Sequence, residues 1–159
     1  MAAPPDVTAR VMTLAHLDLR PTHRPPALWR VVVATVVAVG LSLAADAALA
    51  AIGIRVFPST RGYSHFRFED YARLTVVGII IAAAAWPVIA RISSAPRWLY
   101  LRLAVLVSAV LLLPDLYIWH QGQPIRAVAV LMCMHVAIGL ITYNAMVRLA
   151  PVRSGATQP

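Results

Sequence analysis

One apolar run constrains this chain more than any other feature: Val31–Ile54, interrupted by a single carboxylate, Asp46. About 24 residues at ~1.5 Å rise make a helix of ~36 Å, enough to cross a hydrocarbon core of ~30 Å. A soluble helix buries one stripe and wets the rest, whereas this run is apolar all round. An ionisable side chain inside such a span is a candidate functional site, so what Asp46 meets becomes the central question.

Three more apolar runs follow. They predict spans near 31–51, 71–90, 98–118 and 125–147 in one domain over 30–148, with polar tails at 1–29 and 149–159. The expected fold is all-α, an integral membrane four-helix bundle. Hydrophobic residues make up 60% of the chain and its mean hydropathy is +0.75, which excludes an ordinary soluble domain. All 14 basic residues are arginine and the net charge is +8. In a soluble protein that excess would suggest nucleic acid. Here the arginines gather at the ends of apolar runs, where membrane orientation and anionic lipid headgroups account for them. No basic stripe interleaved with aromatics exists, so no nucleic-acid partner is expected.

Prolines 4, 5, 21, 25 and 26 punctuate the amino-terminal tail. Asp6 can cap a short helix there, with Val7, Val11, Leu14 and Ala15 on one face lying at the membrane surface; a plain solvated tail is the alternative. Ala34, Ala38 and Ser42 form one four-residue series in the first span, and Gly40, Ala44 and Ala48 form another. Small residues at this interval let helices approach closely in lipid. A second reading of the segment stands beside the span: Arg30, the apolar stretch to Leu43 and the Ala-rich strings after it resemble a signal peptide with its cleavage site. The long preceding tail and the run continuing to Ile54 argue against cleavage, and intact mass decides it.

The connection 53–70 mixes Arg55, Arg61 and Arg67 with Phe57, Tyr63, Phe66 and Phe68. Alternation from Tyr63 to Phe68 suits an extended segment on the membrane surface, read as a solvated loop or as a lid over a site between the helices. Arginine counting orients the chain. With the amino terminus inside, nine arginines lie on the cytoplasmic side and five outside, so both termini are expected in the cytoplasm of a bacterial plasma membrane. Trp29, Trp86, Trp98 and Tyr143 then fall at the inner interface, and Tyr71, Tyr117 and Trp119 at the outer one.

Counting rise along each span puts Asp46 and Asp115 at a similar height near the outer edge, below Arg55, Arg73 and Arg126. That expectation is a polar layer of Asp46, Asp115, Arg126, Arg73 and Arg55, in which arginines reach down to the acids. It serves either as an Asp–Arg network that locks the helices or as a small pocket for a headgroup or a proton. Pro114 removes a backbone donor just before Asp115 and breaks the local ladder. His135 lies ~15 Å into the fourth span, ~9 Å from the level of Asp46, with Ser42, Thr75 or Ser108 as its expected partner.

No chemistry beyond this is apparent. Cys133 is the only cysteine and reads as a small packing residue. No second histidine lies in a span to hold haem, and Met132 and His135 alone share a face, so no metal or cofactor is expected. There is no nucleotide-binding glycine loop, HExxH or G-x-S-x-G, and the paired acids alone do not make an enzyme.

From about Leu28 to Leu149 the chain resembles a group of small actinobacterial four-span membrane proteins classed as a domain of unknown function. The likeness rests on the Asp46-bearing first span, the turn Arg91–Arg97 leading to a Trp-bearing third span, "SAVLLLPDL" (108–116) and "LMCMHVAIGLI" (131–141). The charged first loop and the amino-terminal tail are longer than the group suggests. The resemblance implies a four-helix integral membrane protein and brings no activity. Size, small-residue faces and missing catalytic motifs point to an accessory or scaffolding subunit of a cell-envelope membrane complex, in contact with lipid and with other membrane subunits. The competing expectation is a small-molecule or lipid-binding carrier using the Asp/Arg pocket.

Overall fold

The computed structural model describes residues 7–14 and 23–154. A short helix, α1 (Val7–Leu14), precedes four long ones: α2 (Leu28–Val56), α3 (Phe68–Ile92), α4 (Pro96–His120) and α5 (Ile125–Leu149). Each of the four is long and apolar enough to cross a membrane. The fold is therefore an all-α membrane bundle, as the apolar runs imply. Asp6 and Ala15, expected to frame the first helix, lie outside the described residues; Val11 and Leu14 of α1 are exposed.

Local chemistry sets the helix ends. Pro96 opens α4, where its missing N–H costs nothing. Glu69 and Asp70 sit in the first turn of α3, and Arg55, Arg91 and Arg148 in the last turns of α2, α3 and α5, each complementing the helix dipole. At the end of α4 the Gln123 N–H donates to Ile118 O (3.2 Å) and the Gly122 N–H to Trp119 O (2.9 Å). Gly122 has φ +88°, so this is a glycine-dependent Schellman stop with Pro124 just beyond. Neither internal proline ends its helix: α3 runs through Pro87 and α4 through Pro114.

Helix α5 is the hub, touching α2, α3 and α4. The face of α2 turned to the bundle is Val31, Ala34, Ala38, Ser42, Asp46, Ala50 and Gly53, all buried and nearly all small. Lipid tails are as apolar as leucine, so close packing, rather than water exclusion, holds such helices together. Ala38 packs with Ile79 and Ala145, and Ala50 with Val130, Leu131 and Met134, which fixes an antiparallel α2–α5 register. Helix α4 buries only Pro96, Tyr100 and Asp115 and presents most of its leucines and valines outward.

Residues 23–24 and 153–154 lie at one end of the bundle, where α2 begins and α5 ends. Two-residue strands β1 (His23–Arg24) and β2 (Arg153–Ser154) pair antiparallel there, and Arg153 donates twice to Pro25 O (3.2 and 3.1 Å). The tails are thus tied together, which their polar composition did not announce. An aromatic knot closes this terminal end. Trp86 is fully buried and donates Nε1–H to Ala150 O (2.7 Å), while Tyr100 lies between Trp86 and Tyr143 and donates its hydroxyl to Ala82 O (3.2 Å).

The opposite, loop end carries the long connection. Its expected extended segment is instead two single 3-10 turns, Pro58–Thr60 and Ser64–Phe66, separated by Gly62 at φ +83°. Proline at 58 and a left-handed glycine at 62 make turns and override the alternating pattern. Tyr63 and Phe66 fold back onto Ala50, Val130, Leu131 and Met134, so the loop covers this end of the bundle.

A buried acid–histidine layer as candidate functional site

Asp46 stands on the buried face of α2, two small-residue steps from Ala38. Its Oδ2 accepts a hydrogen bond from Thr75 Oγ1 of α3 (2.9 Å). Its Oδ1 has no hydrogen-bond partner, although the residue is fully buried. One turn away on the same face Ser42 is equally buried, with its hydroxyl unpartnered as well. Thr142 of α5, which the α2–α5 register places level with Ser42, is a second buried hydroxyl without a partner.

Asp115 is also buried, and its Oδ2 lies 2.9 Å from His135 Nδ1. With Asp115 ionised, Nδ1–H is the donor in this contact, and with the proton on Asp115 the roles reverse. The His135 ring further lies within electrostatic reach of Asp46. From the connection, His65 acts on Asp115 in the same way. Tyr63 lies over the layer with its hydroxyl buried and unpartnered. Burial raises the pKa of that hydroxyl, and the nearby Asp115 carboxylate raises it further.

Of the five residues expected to form one layer, the structure gathers the two acids, around His135, and not the three arginines. Asp46, Asp115 and His135 come together. Arg55, Arg73 and Arg126 do not join them: among the described residues the one ion pair is His135–Asp115, and all three arginines are exposed. Arg126 instead lies over the Phe57 ring, 5.4 Å from its centroid. His135 takes Asp115 as partner, and Thr75 serves Asp46. Ser108 packs beside Gly139 without bonding to the imidazole. Cys133, expected in the packing, faces outward. Tyr63 and His65 were not singled out, because the connection was read as a whole, either as a solvated loop or as a lid over a site between the helices. Ser42 and Thr142 carried no signal beyond their polarity inside apolar runs.

Four lipid-length helices around a polar layer, two acids and an imidazole with no arginine among the described residues in it, define a small membrane protein with an intramembrane polar site. The chain belongs to a family of unknown function, DUF6069, whose model matches residues 9–151. No curated protein and no solved structure matches it.

Proposed function

We propose that the chain is a non-enzymatic accessory or scaffolding subunit of a larger membrane complex, in a bacterial plasma membrane with both ends in the cytoplasm. The observation that carries this reading is the second small-residue series of α2. Gly40, Ala44 and Ala48 are exposed on the outward side of the helix, and a Cβ added at Gly40 would meet nothing within 4 Å. A surface this flat, flanked by Val36, Val37 and Leu41, suits the transmembrane helix of a second protein bearing its own small residues. The arginine asymmetry of nine against five supports the orientation, and the pairing of β1 with β2 supports a common side for both ends.

The carrier alternative binds a small molecule or lipid in an outer-leaflet Asp/Arg pocket, the layer of Asp46, Asp115 and Arg126. The acids are engaged with Thr75 and His135 instead, so nothing favours it.

Native mass spectrometry of the gently solubilised particle tests the proposal. A stoichiometric partner protein is expected, and Gly40→Leu with Ala44→Leu should release it while the isolated chain unfolds at nearly the same temperature. A particle holding this chain and lipid alone overturns the reading. Reporter fusions at the two ends test the orientation, and opposite sides would refute it.

A further inference from the structure

The buried layer holds two acids and one base. Asp46 is fully buried and Asp115 is 5% exposed. The titratable groups facing them are His135 from α5, Tyr71 from α3, and Tyr63 and His65 from the loop. No arginine pairs with either acid among the described residues.

Charge then decides what the layer can hold. With one proton between them, His135 and Asp115 at 2.9 Å make a neutral pair. That leaves Asp46, whose hydrogen-bond partner among the described residues is the uncharged Thr75 hydroxyl. A lone carboxylate in an apolar interior is costly enough that taking up a cation is the cheaper state. The unpartnered Oδ1 of Asp46 and the unpartnered hydroxyl of Ser42 mark where that cation sits. Among the described residues no three His, Cys, Asp or Glu side chains gather to hold a metal ion.

We infer that this layer is a proton-binding site: Asp46 carries the proton and exchanges it, through the neighbouring His135–Asp115 pair, with the loop end only. Toward the loop end, Tyr63, its hydroxyl buried and unpartnered, packs on the cluster of Ala50, Leu131 and Met134 that adjoins His135 on α5. Toward the terminal end the way is closed by Ala38, Ile79 and Ala145, then by Trp86 and Tyr100. A proton therefore enters and leaves by one side. The site responds to the acidity of one compartment and conducts nothing across.

Infrared spectroscopy of the full chain in lipid vesicles tests this without a partner, so the result stands apart from the subunit reading. With isotope-labelled aspartate, the wild type should show the C=O band of one protonated carboxylic acid at neutral pH. Asp46→Asn should remove it. His135→Gln, which withdraws the base paired with Asp115, should double it. Absence of the band, or a band indifferent to Asp46→Asn, overturns the inference. So does a band that sodium chloride removes at constant pH, because the site would then take a metal cation. If His135→Gln does not fold, the wild type and Asp46→Asn alone decide.

Discussion

Gly53→Ala should separate the two helices that carry most of the bundle. A Cβ at Gly53 would lie 2.9 Å from Val130 Cγ2, 3.3 Å from Cγ1 and 3.6 Å from Cβ. Carbon atoms rest at about 3.5–4.0 Å, so α2 and α5 must part locally by about 0.6–1 Å. Val130 cannot swing aside, since a valine in a helix has one strongly preferred rotamer. Overpacking of this kind costs about 1–3 kcal/mol. Against it stands the gain of about 1 kcal/mol in helix propensity when glycine becomes alanine. Gly40→Ala isolates the two terms, because it makes the same gain in open space. The difference between the variants is then the steric cost alone, about 1–3 kcal/mol. Unfolding of each in mixed micelles, followed by the fluorescence of buried Trp86, measures it. Val130→Ala should lessen the penalty of Gly53→Ala through favourable coupling. Equal stability of the two glycine variants, or no coupling with Val130, would refute the close α2–α5 approach and the register drawn from it.

Three further outcomes follow from single contacts. Thr75→Val removes the hydroxyl that donates to the buried Asp46 carboxyl and should cost about 1–3 kcal/mol in the same assay, whereas Thr75→Ser should restore most of it. Trp86→Phe deletes the bond to Ala150 O, about 1 kcal/mol besides lost volume, and should speed amide exchange in residues 150–154. Tyr63 holds its proton more tightly folded than unfolded, so its contribution is full below about pH 10 and is lost as pH rises through the higher folded value. Tyr63→Phe should accordingly flatten the fall in stability at alkaline pH and remove one late-titrating phenol from the absorbance curve.

The existence of four helices was legible because apolar runs of that length have no other use. Their ends were less so: hydropathy marks the hydrocarbon, and α2 continues past the expected limit at 51 to Val56. Which small-residue series of α2 faces the bundle looked undecidable, since both consist of alanine with one odd member. Asp46 settles it. It lies four residues beyond Ser42, so it extends Ala34, Ala38 and Ser42, and a carboxylate must face inward. The turns at Pro58 and Gly62 were legible as chemistry but were outweighed by an alternation only six residues long.

The false Asp–Arg pairing came from counting height and ignoring phase. At 3.6 residues per turn, nine residues rotate a helix by about 900°, leaving the two side chains on opposite faces. Arg55 stands nine residues from Asp46, and Arg126 nine from His135. Arg73 stands two from Thr75, a rotation of about 200°. Once Asp46, Thr75 and His135 face inward, every candidate arginine must face out. Direction works the same way. Helical side chains lean toward their own amino terminus, and α3 and α5 both begin at the loop end, so Arg73 and Arg126 lean away from the layer. Asp115 on α4 and His135 on the antiparallel α5 lean toward one another, which closes a gap that rise alone leaves open. An acid pair in this bundle therefore has an imidazole and a hydroxyl to meet and no guanidinium, and that is why its remaining negative charge calls for a proton.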